Sequence, residues 1–110
     1  MGEKLARTKV AKKSDLLPGQ MVGVEVSGKW LVVANVDGSY YAMNGKCNHA
    51  GGELWKGKLV SYVIRCPRHG SEYDIRTGKV LKGPWIPFAK TFEEKVYPVI
   101  VEGDEIFVET

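Results

Sequence analysis

No stretch of this chain keeps a helical spacing of apolar residues for ten positions without meeting a glycine or a proline. Its apolar residues come instead in short β-branched and aromatic runs separated by glycine-containing turns. That pattern predicts an all-β, antiparallel fold, with strands near residues 7–12, 20–26, 29–36, 39–43, 60–65, 71–75, 96–101 and 105–109. Ser27-Gly28 and Asp37-Gly38 each sit between apolar runs and read as two-residue hairpin turns, in which glycine takes the positive φ. Arg76-Thr77-Gly78 and Glu102-Gly103-Asp104 read as slightly longer turns, and Leu17-Pro18-Gly19 as a stop. Trp30, Val32, Ala34 and Val36 alternate with Leu31, Val33 and Asn35, a period-2 signal with one strongly apolar face.

At 110 residues the chain is expected to form one domain. A composition of 44% hydrophobic and 26% charged residues is that of a globular domain and excludes a disordered tail or a coiled coil. The longest apolar runs, such as Trp30 to Ala34, fall far short of the roughly 20 residues of a membrane-spanning helix. No apolar stretch follows the basic segment Met1 to Lys13, which therefore does not read as a secretory leader. A soluble, cytoplasmic domain without a membrane span is the expectation.

The formal charge of +3 is too small to imply nucleic acid. Residues 1–13 carry Lys4, Arg7, Lys9, Lys12 and Lys13 against Glu3 alone, which reads as a solvated arm or an edge strand. A second basic cluster, Lys46, Lys56, Lys58, Arg65 and Arg68 against Glu53, suits the steering of an acidic partner. Two stretches resist strand assignment: Asn44 to Lys58, rich in glycine, and Gly83 to Lys95, with Pro84 and Pro87 flanking Trp85 and Ile86. Loops of this length in a compact β domain usually carry function.

The chemistry is concentrated in and just beyond the first of these loops. Every cysteine and every histidine of the chain falls into one of two pairs, Cys47-Asn48-His49 and Cys66-Pro67-Arg68-His69, with sixteen residues between His49 and Cys66. Each pair offers one thiolate and one imidazole to a metal. Zinc fingers usually pair like with like, whereas here the ligand types are mixed on each loop. At i and i+2, a cysteine and a histidine project the same way and reach adjacent but distinct metal atoms. A dinuclear centre fits this spacing better than a single tetrahedral ion.

These residues resemble the Rieske iron–sulfur family, whose pattern is C-x-H, about fifteen to seventeen residues, then C-x-x-H. Ala50-Gly51-Gly52-Glu53-Leu54 is similar to the family's first loop. His69 to Asp74 together with Thr77-Gly78-Lys79 is similar to its second, and Gly83-Pro84 to its proline loop. The resemblance covers nearly the whole chain from about Val10. It implies a Rieske-like antiparallel β-sandwich or barrel as one domain, residues 1–110. A base of about 1–42 and 86–110 would carry a small cluster-binding subdomain of about 43–85.

The resemblance further implies one [2Fe–2S] cluster, with Cys47 and Cys66 on the buried iron and His49 and His69 on the outer one. Two neutral imidazoles in place of two thiolates lift the potential from about −400 mV to roughly −150 to +300 mV. By likeness to the Rieske proteins of cytochrome bc complexes, Ser71 would donate to a bridging sulfide and Tyr73 to the Cys47 sulfur. Many oxygenase-associated ferredoxins lack that pair. The bc-complex proteins also join their loops by a disulfide, and here Gly52 and Arg68 stand where its cysteines are expected. An intermediate potential follows. Leu54, Trp55 and Trp85 are candidates for shielding the cluster from water, and Arg68 for tuning or docking.

The function implied is that of an electron carrier, not an enzyme, working between a reductase and an oxygenase or other acceptor. With both histidines engaged, a 2-His-1-carboxylate iron site has no ligands left. The alternatives are a permanent small subunit of a nitrite reductase or oxygenase, a redox sensor, and a zinc-stabilised binding module that uses Lys4 to Lys13 on nucleic acid. The few side-chain amides (Gln20, Asn35, Asn44, Asn48) are in keeping with a heat-adapted source.

Overall fold

The computed structural model describes residues 6–47, 51–68, 70–83 and 92–110. Within them the chain runs β1 (Arg7–Lys12), β2 (Met21–Val26), β3 (Lys29–Val36), β4 (Ser39–Asn44), β5 (Lys58–Val60), β6 (Val63–Arg65), β7 (Glu72–Asp74), β8 (Val80–Lys82), β9 (Val96–Tyr97), β10 (Val99–Glu102) and β11 (Glu105–Glu109). Among the described residues the only helical pieces are the single 3₁₀ turns Lys13–Asp15 and Leu54–Lys56, and no helix is long and apolar enough to cross a membrane. The all-β antiparallel expectation holds.

The strands form three antiparallel sheets, ordered β1-β11-β10, β2-β3-β4-β9 and β5-β6-β7-β8. Arg7–Lys12 of the basic N-terminal segment is an edge strand, with Arg7 paired to Glu102 and Lys9 to Glu105. The two expected hairpins form as read. Ser27 and Gly28 take φ of 51° and 80°, and Asp37 and Gly38 take 52° and 91°, the positive pair that a two-residue turn demands.

The middle sheet separates two cores, and β3 serves both. Its residues Val32, Ala34 and Val36 pack with Met43, Leu54, Ile64, Tyr73, Ile75 and both cysteines. Leu31 and Val33 pack on the opposite face with Leu16, Val26, Ala42, Tyr97, Ile106 and Val108. The period-2 reading of β3 assigned one apolar face; the structure buries both, because a sheet lies on either side of it. Buried Asn35 is satisfied: its Nδ2 donates to the Leu16 carbonyl and its Oδ1 accepts from the Gly38 amide, both at 2.8 Å.

Four local expectations are corrected. The single strand at 60–65 is a hairpin of β5 and β6, because Ser61 adopts φ 53° and turns the chain without a glycine. The strand at 96–101 is broken at Pro98, which has no N–H for a ladder; β9 pairs with β4 while β10 pairs with β11. Strand β8 lies where no strand was read. The last hairpin is tighter than expected, since Glu102 faces Glu105 across only Gly103 and Asp104.

Candidate metal centre

Cys47 follows β4 and Cys66 follows β6; neither is in a disulfide, and both are only 2% exposed within the same core cluster. The two loops that hold them are built alike. The Cys47 amide donates to the Gly52 carbonyl and the Gly51 amide donates back to the Cys47 carbonyl, both at 2.8 Å. Likewise the Cys66 amide donates to the Ser71 carbonyl at 2.8 Å, and the Gly70 amide to the Cys66 carbonyl at 3.2 Å. In each case the residue four positions after the cysteine is a left-handed glycine, with φ 68° at Gly51 and 77° at Gly70. The repeated Cys-x-x-x-Gly spacing in the sequence was the signal for this matched pair.

Gly52 lies against the second thiol, where a Cβ would come within 2.7 Å of Cys66 Sγ. No third cysteine stands at that place to link the loops; the absence of a side chain at Gly52 lets them approach. The adjoining turn Leu54–Lys56 buries Leu54 in the cysteine core. Trp55 is pressed onto Gly23 and Gly45, and its ring stacks on Trp30 at 5.1 Å and 21°.

Two hydroxyls complete the described part of the site. Tyr73, fully buried on β7, sets its hydroxyl 3.1 Å from Cys47 Sγ. Ser71 is also fully buried, and its Oγ has no hydrogen-bond partner among the described residues. A buried hydroxyl left without a partner costs about 1–3 kcal/mol, so its place is explained by an acceptor that the described residues do not supply. Two inward thiols, a hydroxyl on one sulfur and an orphaned hydroxyl beside the other loop fit an inorganic sulfur-containing group. His49, His69 and Trp85 lie outside the described residues. Among those described, no three His, Cys, Asp or Glu side chains converge on a metal position.

On the Cys47 side, the site is braced by residues that the spacing argument did not single out. The Tyr97 hydroxyl donates to Asn44 Oδ1 at 2.8 Å, and Asn44 Nδ2 donates to Glu94 Oε1 at 3.4 Å. Burial, and then the Glu94 carboxylate, hold the Tyr97 hydroxyl above the usual phenol range, so it remains a donor. These contacts fasten the strand that enters Cys47 to the segment before β9.

At the end of the β6–β7 pair remote from Cys66, an ion pair closes the turn after β7. Asp74 accepts from the Arg76 amide at 2.9 Å and from its guanidinium at 3.1 and 2.9 Å, while that guanidinium lies 4.0 Å above the Tyr62 ring. The Arg76 side-chain hydrogen bond is the main reason the Asp74 carboxyl falls below its ordinary pKa of 3.8. A lowered folded-state pKa stabilises the fold above the carboxylate range, and that contribution is lost as acid protonates the folded form. Asp74→Asn should therefore cost about 1 kcal/mol at neutral pH, and the gap to the parent should close in acid, as the pH falls below the ordinary carboxyl value of 3.8 and the folded form protonates. Urea titrations at both pH values measure this, and an unchanged gap in acid would refute the assignment.

Comparison with known proteins agrees with this site. The Rieske [2Fe-2S] domain family matches residues 6–93. The ferredoxin component of the naphthalene 1,2-dioxygenase system of Pseudomonas putida is 35% identical over 96 residues, covering 87% of this chain and 88% of that one. The ferredoxin component of biphenyl 2,3-dioxygenase from Rhodococcus jostii (strain RHA1) is 33% identical over 105 residues, with 96% and 94% covered. In structure, the ferredoxin of carbazole 1,9a-dioxygenase from Nocardioides aromaticivorans IC177 superposes with a TM-score of 0.83 at 31% identity, over 93% of this chain and 95% of that one. This chain belongs to the Rieske [2Fe-2S] domain family, and its cofactor is a single [2Fe–2S] cluster.

Proposed function

We propose that this protein is a cytoplasmic one-electron carrier of an oxygenase system, taking electrons from a reductase and delivering them to an oxygenase. The observation that carries the reading is the pair of buried thiols with a tyrosine hydroxyl on one sulfur and an unpartnered serine hydroxyl on the loop that holds the other. Its homology to ferredoxin components of dioxygenase systems supports the choice of partners. In this reading residues 43–85 form the cluster-bearing part, and residues 1–42 with 86–110 form the base.

Cys47 and Cys66 would bind one iron as thiolates, and His49 and His69 the other as neutral imidazoles. The bound cluster supplies a one-electron couple, at a higher potential than an all-thiolate site because fewer negative charges surround it. Tyr73 would donate to the Cys47 thiolate and Ser71 to a bridging sulfide, both favouring the more negative, reduced state. The core around the thiols, with Leu54, Ile64 and Ile75, keeps water from that side.

Freshly purified protein is expected to be coloured and to hold iron and acid-labile sulfide in equal amounts, with Cys47→Ser or Cys66→Ser losing both. Colourless protein holding a single zinc would overturn the reading. In redox titrations, Ser71→Ala and Tyr73→Phe should each lower the potential by tens of mV, about 60 mV for every 1.4 kcal/mol of preference for the reduced state. A potential unmoved by either change would remove the roles given to both hydroxyls. The parent potential is expected between those of the oxygenase ferredoxins and the bc-complex proteins, since it has the hydroxyl pair without the disulfide.

A further inference from the structure

Outside the cysteine core, the outer face of the sheet β5-β6-β7-β8 carries an unusual row of charge. Register places Lys58, Arg65, Glu72 and Lys82 side by side across the four strands. Among the described residues neither Lys58 nor Arg65 has an ion-pair partner. On the opposite sheet, by contrast, Arg7 and Lys9 are neutralised by Glu102 and Glu105.

Lys58 and Arg65 form the shared wall of two adjoining open clefts. One, of about 360 Å³, runs past Lys56 and Pro67 to Cys66. The other, of about 270 Å³, continues over Val60 and Val63 to Glu72. Together they make one groove with unpaired cations on its wall and an apolar floor. Val60 in that floor is 69% exposed, the most exposed large apolar side chain among the described residues. One end of the groove lies against a cysteine of the metal centre.

We propose that this groove docks an extended acidic segment of the electron-transfer partner, its carboxylates on Lys58 and Arg65 and its apolar side chains on Val60 and Val63. The proposal rests on the electron-carrier reading and adds the partner's chemistry and the face it uses. A nucleic acid fits less well, because an even run of phosphates would meet both Glu72 and an apolar floor. A second copy of this chain offers a poorer ligand, since its longest runs of acids are the pairs Glu93-Glu94 and Asp104-Glu105, and Glu105 with the nearby Glu102 is already engaged by Lys9 and Arg7.

The test uses loaded protein and a fluorescein-labelled glutamate-rich peptide with interspersed valines, followed by anisotropy at low and at physiological salt. Binding is expected at low salt and should weaken as screening shortens. Lys58→Glu with Arg65→Glu should weaken it about tenfold, whereas Lys12→Glu with Lys13→Glu, of equal net charge, should change it less than about twofold. Lys58→Gln with Arg65→Gln should give an intermediate loss and serves if the double reversal does not fold. Equal losses from both reversals, no binding at all, or an oligothymidylate bound as tightly as the peptide would overturn the proposal. The visible spectrum, recorded on the same samples, reports separately on the metal centre.

Discussion

Gly57→Ala is expected to leave little folded, cluster-loaded protein. A Cβ at Gly57 would fall inside the carbonyl oxygen of Arg65 and only 3.1 Å from its carbonyl carbon. The obstacle is backbone, so no side chain can rotate away. Relief requires β5 and β6 to part, yet these are three-residue strands with few hydrogen bonds to hold them. Arg65 also leads directly into Cys66, so any movement displaces a thiol. A cost near 4 kcal/mol is expected, beyond the usual overpacking penalty of about 1–3 kcal/mol and a large share of a stability of about 5–15 kcal/mol. Gly83→Ala is the control: among the described residues nothing lies within 4 Å of its added carbon, and the change should stay within about 0.5 kcal/mol. Urea melts and iron content measured on both variants decide the matter, and a soluble, fully loaded Gly57→Ala would sink it.

Trp55→Ala should have the second largest effect, about 3 kcal/mol, the lower end for removing a packed aromatic because Trp55 is only partly buried. The indole is the peg that fastens the first cysteine loop to β2 and to the turn after β4. Added carbons would come within 2.7 Å of its Cγ at Gly23 and 2.9 Å of its Cζ3 at Gly45. In a protein with no disulfide between the loops, this peg and the Gly52–Cys66 contact do part of the same task. The sharper expectation is a coupling. Gly23→Ala alone should cost about 1–3 kcal/mol by crowding the ring, but within about 0.5 kcal/mol when Trp55 is already alanine. A thermal double-mutant cycle measures it; strict additivity would show that the glycine has some other purpose.

The sequence was most legible where one residue type has one use. Ser27-Gly28 and Asp37-Gly38 announced hairpins because positive φ is cheap only for a few residues. The mixed Cys and His pairs pointed to a cluster because thiolates and imidazoles seldom come together in that way; the family match bears out the cluster, while His49 and His69 lie outside the described residues. It was least legible where the fold depends on what lies opposite. Leu31 to Val36 looked one-sided because alternation reveals a strand but not the number of sheets around it. Ser61 concealed a turn that glycine would have marked, and Pro98 sat within an apolar run whose two halves belong to different sheets. The slot for Trp55 joins residues from β2, the turn after β4 and the turn before β5, so no local window displays it.

Because β3 lines both cores, the layers on either side of it share one wall rather than meeting at a seam. Its amides from Leu31 to Ala34 are shielded by neighbouring strands and by side chains above and below, and should be the slowest to exchange with deuterium. Stripping out the metal should then quicken exchange in the short strands β5 to β8 first, while the shared wall stays protected until the entire molecule opens. A repair grafted onto one layer alone would still be answerable to the other.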